Sequence, residues 1–165
     1  MVDYYVTGSN AQIKEAGRLL REQHALKVRR RQMTNFEKVR EFHTVFEADI
    51  NKPVIAGDEA YKALCDLRCK LIDEEYLEEF KPAAEAGDIV EMADALTDIL
   101  YVVYGAGVAF GIPLDECFAE VHRSNMSKAG PDGRPMRRED GKILKGPNYF
   151  RPNLSAILRA AGKLP

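Results

Sequence analysis

The chain has 165 residues, 45% of them hydrophobic and 30% charged, with 24 basic and 26 acidic side chains and a formal net charge of −2. That length suits one ordinary domain with a substantial core, and the near-neutral balance does not describe a protein that works through a broad basic surface. Cys65, Cys69 and Cys117 are odd in number and form no CxxC pair, so the cysteines point to neither a disulfide framework nor a zinc site.

Charge is not evenly spread. Residues 1–35 hold seven basic and three acidic side chains, leaving the remainder at −6. The densest basic run, Lys27 with Arg29, Arg30 and Arg31, reads as a solvated face before it reads as a nucleic-acid contact. The opening residues MVDYYVTGSN do not resemble a signal peptide, and no uninterrupted apolar stretch approaches the roughly 20 residues of a membrane span. A cytoplasmic protein without a membrane partner is therefore expected.

In chain order, helical periodicity predicts a peripheral helix from about Asn10 to Leu26, with Ser9 or Asn10 as its N-cap. Phe36, Val39, Phe42, Val45 and Phe46 recur at three and four, predicting an amphipathic helix capped by Thr34 or Asn35. Breakers at Asn51–Pro53 and Gly57–Asp58 precede a long helix from near Asp58, whose apolar positions include Leu64, Leu67, Leu71 and Ile72. Cys65 and Cys69, one turn apart, read as small core residues. Pro82 and Gly87 should interrupt the helix before another runs from Ile89 to about Phe110. Gly111 as C′ residue and Pro113 at N1 turn the chain into a helix ending near Asn125, an expected antiparallel neighbour. Beyond Lys128 comes a Gly/Pro-rich basic arm with a hairpin turn at Asp140–Gly141, then a short helix from about Asn153 to Ala161. The sequence is all-α, with an N-terminal helical extension over 1–35, a helical bundle over 36–128 and the arm and terminal helix over 129–165.

Carboxylates stand out on two of these helices. Glu74, Glu75 and Glu78 lie in LIDEEYLEEF, and Glu91, Asp94 and Asp98 lie in IVEMADALTDILYVVYG. The second run is apolar almost all round, as in a helix buried on most faces, yet its three acids fall at i, i+3 and i+7 on one stripe. Unpaired buried carboxylates are costly, and no Lys or Arg lies between Lys81 and Arg123 to neutralise them. Glu75 and Glu78 from the facing helix would complete an all-oxygen cage suited to Mg²⁺ or Mn²⁺. Plainer readings exist for part of the set: Asp88 and Glu91 have capping-box spacing, and a Glu-rich run is often a solvated face. Capping cannot account for Asp94 or Asp98, which lie further into the apolar segment.

Cations held by such acids, with Lys and Arg on a nearby arm, suit cleavage of a phosphoric anhydride. No Ser/His/Asp arrangement, activated Cys or GxxxxGK[ST] loop offers another chemistry, and His24, His43 and His122 read as ordinary surface or core histidines.

The ordered set EEYLE, twelve residues, then EMAD has the form EExxE–x12–ExxD, and it resembles the signature of the all-α NTP pyrophosphatases, the superfamily of MazG, dimeric dUTPase and phosphoribosyl-ATP pyrophosphohydrolase. FEKVREFHTVF upstream, the block DALTDILYVVYGAGVAFGIPLDECFAEVHRSNMSK and the arm DGRP…REDGKILKGPNYF extend the resemblance from about Phe36 to Pro152. Residues 1–35 have no counterpart. The resemblance implies a MazG-like helical bundle in which Glu75, Glu78, Glu91 and Asp94 hold Mg²⁺, for which Mn²⁺ substitutes. Glu74 would complete the cluster or position the attacking water, and Asp98, by helical spacing, would bind a second ion or orient a ligand. Asn125 and Lys128 match positions that contact sugar or phosphates; Lys142 and Lys145 are further phosphate candidates, and Phe36 is a candidate for the base pocket with Phe42 or His43.

The implied reaction is hydrolysis of a nucleoside or deoxynucleoside triphosphate to its monophosphate and pyrophosphate, in a homodimer or a tetramer of dimers. Two alternatives stay open: phosphoribosyl-ATP pyrophosphohydrolase of histidine synthesis, and a non-catalytic metal-binding helical interaction module.

Overall fold

The computed structural model describes residues 10–130 and 132–165, which form two units, one ending at Thr34 and one spanning Asn35–Pro165. Among its described residues the first unit is a single helix, α1 (Asn10–Gln32). It outruns the expected end near Leu26 because no Gly or Pro follows until after Gln32 and Lys, Arg and Gln are good helix formers. Arg18 pairs with Glu15 and Glu22, each at 2.6 Å, one turn to either side. Ser9 and the MVDYYVTGS opening lie outside the described residues, as do the side chains of Arg29, Arg30 and Arg31; Lys27 is exposed.

The second unit is helical, with α2 (Asn35–Val45), α3 (Glu59–Asp73), a π-helical segment (Glu74–Phe80), α4 (Lys81–Ala86), α5 (Ile89–Phe110), α6 (Leu114–Met126) and α7 (Leu154–Ala160). Only two isolated antiparallel bridges, Ala129 with Pro135 and Arg137 with Ile143, appear among the described residues, so the fold is all-α. α5 is the central element, packed against α2, α3, the π segment and α4.

The ends of these helices follow their local chemistry. Asp58 accepts the Tyr61 N–H at 2.7 Å and starts α3, while Asp88 accepts the N–H groups of Val90 and Glu91 and starts α5. Gly87 and Gly111 close α4 and α5 in the left-handed region, at φ of 70° and 67°. Pro113 is itself the N-cap of α6, one position earlier than expected.

Four expectations change. Pro82 does not interrupt the chain: it falls just after the wider turn of the π segment, and helical structure continues from Glu59 to Ala86. Cys69 is exposed rather than a core residue, whereas Cys65 is half-buried and Cys117 buried. α6 takes α7 as its main packing partner and meets α5 near the turn, where Leu114 lies against Gly107; Gly111 redirects the chain there. α5 is not covered on most faces: Gly105, Gly107, Val108 and Ala109 are buried, but Ile89 is 73% exposed, Leu96 45% and Leu100 55%. By length and composition α5 also passes for a membrane span, with a mean hydropathy of 1.3, although Glu91, Asp94 and Asp98 sit within it.

The arm after Lys128 is an ordered excursion pinned at its base. The Gly146 N–H donates to the Lys128 carbonyl at 3.0 Å, the Ser124 hydroxyl donates to the Phe150 carbonyl at 2.8 Å, and the Arg123 guanidinium lies 4.3 Å from the centre of the Phe150 ring. Its tip is the expected hairpin: Arg138 N–H donates to Lys142 O, and Gly141 N–H to Arg138 O, with Gly141 at φ 84°.

Candidate metal centre

The acidic run of LIDEEYLEEF does not continue α3 in the same register. From Glu74 to Phe80 the backbone is π-helical, and the Lys81 N–H closes on the Tyr76 carbonyl five residues back. π-turns are rare and are frequent at functional sites. The wider turn rotates each residue by less, so position i+3 falls further from position i while i+4 stays close over it. Glu75 is therefore aligned with Glu79, and both face Asp98 of α5.

Carboxylate oxygens of Glu75, Glu79 and Asp98 lie within 4.8 Å of one another. Glu75 and Asp98 are half-buried and Glu79 is exposed. One oxygen of Glu75, Oε2, is enclosed and has no hydrogen-bond partner. Burial pushes the Glu75 carboxyl above its ordinary pKa, and the negative charges of Glu79, Asp98, Glu74 and Asp94 push in the same direction. A half-buried carboxylate with one donorless oxygen and four negative charges acting on it is an environment that a bound cation would relieve. The donor set is all oxygen, which fits a hard divalent ion of the Mg²⁺ or Mn²⁺ kind.

The structure thus brings together Glu75 and Asp98, and it sets Glu74 and Asp94 within electrostatic reach of Glu75. Glu74 also pairs with Lys70 at 3.3 Å on the exposed side. Glu78, Glu91 and Asp94 are exposed and lie outside the three-carboxylate group. At Glu91 the backbone N–H serves the Asp88 cap, while the Asp88 N–H is taken by the Ala83 carbonyl at 3.0 Å and so does not need the Glu91 carboxylate.

Sequence spacing paired Glu75 with Glu78 and missed Glu79, although at 3.6 residues per turn i+4 falls about 40° and i+3 about 60° from the starting position, so either glutamate could share the face of Glu75. It also missed a niche further along the same helix pair. Arg68, two turns before Glu75 on α3, is buried opposite Gly105 of α5, where an added Cβ would lie 3.4 Å from its Nη1 and 3.2 Å from Nε2 of buried His43. His43 Nδ1 is 2.7 Å from the Asp49 carbonyl, which can only accept, so Nδ1 carries the proton. Burial holds the Arg68 guanidinium below its ordinary pKa, with Asp49 opposing, and its Nε has no partner. This cation acts toward Asp49, not toward Glu75, so the acidic group keeps its unmet charge.

The remaining candidates sit elsewhere on the unit. Lys128 Nζ donates to Asn125 Oδ1 at 2.7 Å at the end of α6, so those two form one polar pair. On the arm Lys145 lies 4.5 Å from the centre of the Tyr149 ring, and Lys142 is exposed with its N–H on the Asp140 carboxylate. Phe36 is half-buried at the other end of α5, its ring 6.3 Å from that of Tyr104. His24 and His122 are exposed.

The unit is thus all-α, with carboxylates of two helices drawn together at Glu75, Glu79 and Asp98. The model of the phosphoribosyl-ATP pyrophosphohydrolase family matches residues 39–125, more than half of the chain and the stretch that carries every one of these acids, and the chain belongs to that family. It is 39% identical over 136 residues to an uncharacterized protein of Acanthamoeba polyphaga mimivirus; the alignment takes in 79% of this chain and 49% of that relative, so the chain spans about half the relative's length. A solved structure from Exiguobacterium sp. 255-15, provisionally named an NTP pyrophosphohydrolase, is 25% identical and covers 80% of this chain and 98% of its own, at a TM-score of 0.43. That likeness is too loose to carry a fold or a function.

Proposed function

We propose that this chain is a divalent-cation-dependent pyrophosphohydrolase that cleaves a nucleoside or deoxynucleoside triphosphate to its monophosphate and pyrophosphate. The observation that carries the reading is the enclosed, partnerless Glu75 oxygen with Glu79 and Asp98 around it. Glu75, Glu79 and Asp98 would hold Mg²⁺, or Mn²⁺ in its place, and the ion would neutralise phosphate charge and lower the pKa of bound water. Family membership supports the phosphoric anhydride as the bond broken.

Around that centre the chain's own residues divide the work. Asp94 and Glu74 add negative charge beside Glu75, and Glu74, tethered by Lys70, is placed to orient water. Glu78 and Glu91, on the exposed side, are available to a second ion. Asn125 with Lys128, and Lys142 with Lys145 on the arm, lie elsewhere on the unit and would offer donors to the sugar and phosphates of a bound nucleotide. The arm's pinned base and hairpin tip suit a segment that covers bound phosphates.

The exposed apolar face of α5, with Leu96, Leu100 and Val103 at i, i+4 and i+7, supports a homodimer built on that helix. Covering it with a second copy would also account for an apolar helix that one chain leaves half bare.

The test is a panel of canonical and modified NTPs and dNTPs with Mg²⁺ or Mn²⁺, with products identified. Pyrophosphate and a monophosphate are expected from at least one; no release from any member would defeat the proposal. The family's name favours phosphoribosyl-ATP as a second substrate to assay alongside. A non-catalytic interaction module predicts no turnover with any of them and equal behaviour of the wild type and Glu75→Gln.

A further inference from the structure

At the opposite end of α5 from the acids is a cleft of about 320 Å³ lined by Phe36, Arg40, Asn51, Gly111, Pro113 and Lys163, with Ala161 and Gly162 at its rim. Asp98 and Gly111 are thirteen positions apart on one continuous helix and its cap, about 20 Å along the axis at 1.5 Å per residue. The cleft is therefore a place of its own, apart from the metal centre.

Its chemistry is the reverse of that centre. Arg40 and Lys163 bring two positive charges, and neither has a carboxylate partner among the described residues. Lys163 is held there by the fold: its N–H donates to the Leu158 carbonyl at 2.8 Å, and Gly162 turns at φ 68° to bring it back over α5. Its ammonium and the Asn51 amide oxygen crowd the space above Gly111, which only a residue without a side chain leaves open.

The helix end does not need that ammonium as a cap. The Val108 and Ala109 carbonyls already receive the Asn51 and Lys52 N–H groups at 3.0 and 2.7 Å, and the Gly107 carbonyl receives Ile112 N–H at 2.8 Å. Those bonds also fix Asn51 in the left-handed region, at φ 54°, an uncommon conformation for a residue other than glycine. Phe36 supplies an aromatic wall, one edge of its ring resting near Gly107.

We propose that this cleft binds a phosphorylated, ring-bearing small molecule of the nucleoside monophosphate class. The Arg40 fork and the Lys163 point charge take the phosphate, Phe36 takes the flat ring, and the Asn51 amide offers a donor and an acceptor to the sugar or base. The volume is at the low end for a small-molecule site, which favours a monophosphate over a triphosphate.

The test titrates the full-length protein with AMP in buffer free of divalent cations, followed by calorimetry and by backbone amide NMR. Omitting the metal makes the result independent of the reaction proposed above. Saturable AMP binding is expected, with shifts at Gly111 and Gly162 and with ribose 5-phosphate and adenosine each binding more weakly. Arg40→Gln and Lys163→Gln should each weaken AMP by about tenfold or more, as for a lost charge-assisted hydrogen bond, while Phe36→Leu weakens AMP but not ribose 5-phosphate. Arg40 is exposed, so its variant should melt like the wild type, and a melt checks this. No saturable binding, shifts confined to the acidic helices, or affinity left intact in both cation variants would overturn the proposal.

Discussion

Glu75 concentrates the account in one side chain. Its enclosed oxygen has no donor, and its raised pKa has a defined sign. The folded state binds this proton more tightly than the unfolded chain does, so metal-free protein is destabilised as pH rises through the raised value and recovers as pH falls toward and below the ordinary 4.5. A bound cation reverses the preference, because it competes with that proton. In EDTA the melting temperature of Glu75→Gln relative to wild type should therefore fall toward zero difference on acidification, while the stabilisation that Mg²⁺ adds to the wild type shrinks over the same interval. Glu75→Gln removes both the cost and the ligand: the metal-free protein should melt no lower than wild type, and Mg²⁺ should no longer raise its melting point. A pH-independent difference between EDTA and Mg²⁺ would contradict this role. Glu79→Gln is expected to weaken the Mg²⁺-induced stabilisation as well.

The helices were legible wherever their ends are written in side chains. Asp58, Asp88, Gly87 and Gly111 are caps whose chemistry can be read in the sequence, and each stops or starts a helix where expected. Asp88→Ala removes an acceptor for two N–H groups and should cost about 1 kcal/mol in a denaturant titration. Gly111→Ala should cost about 1–3 kcal/mol, because φ is positive there and the added methyl meets Lys163 and Asn51. What could not be read was a change of helical register without a breaker. The π segment, EEYLEEF, carries no Gly or Pro to announce its wider turn. The candidate site was half legible: Asp98 declared itself as an acid in an apolar helix and Glu75 through its place in EExxE, whereas Glu79 looked like its solvated neighbours. The Arg68, His43 and Gly105 niche was hidden too, since it joins three helices far apart in sequence.

At the scale of the molecule, the bare apolar stripe of α5 asks for a partner. Leu100→Glu places a charge at its middle, and light scattering should then report a monomer that keeps its helical content, against the dimer proposed for the wild type. A wild-type monomer at micromolar concentration would remove the dimer from the account. The central claim is more directly exposed to a single assay: pyrophosphate release from the nucleotide panel in Mg²⁺, wild type beside Glu75→Gln. The account predicts one equivalent of pyrophosphate per monophosphate from the wild type and at least about a hundredfold less from the variant, as for loss of a group that stabilises the transition state electrostatically. Orthophosphate in place of pyrophosphate, or equal turnover by the two proteins, would contradict it.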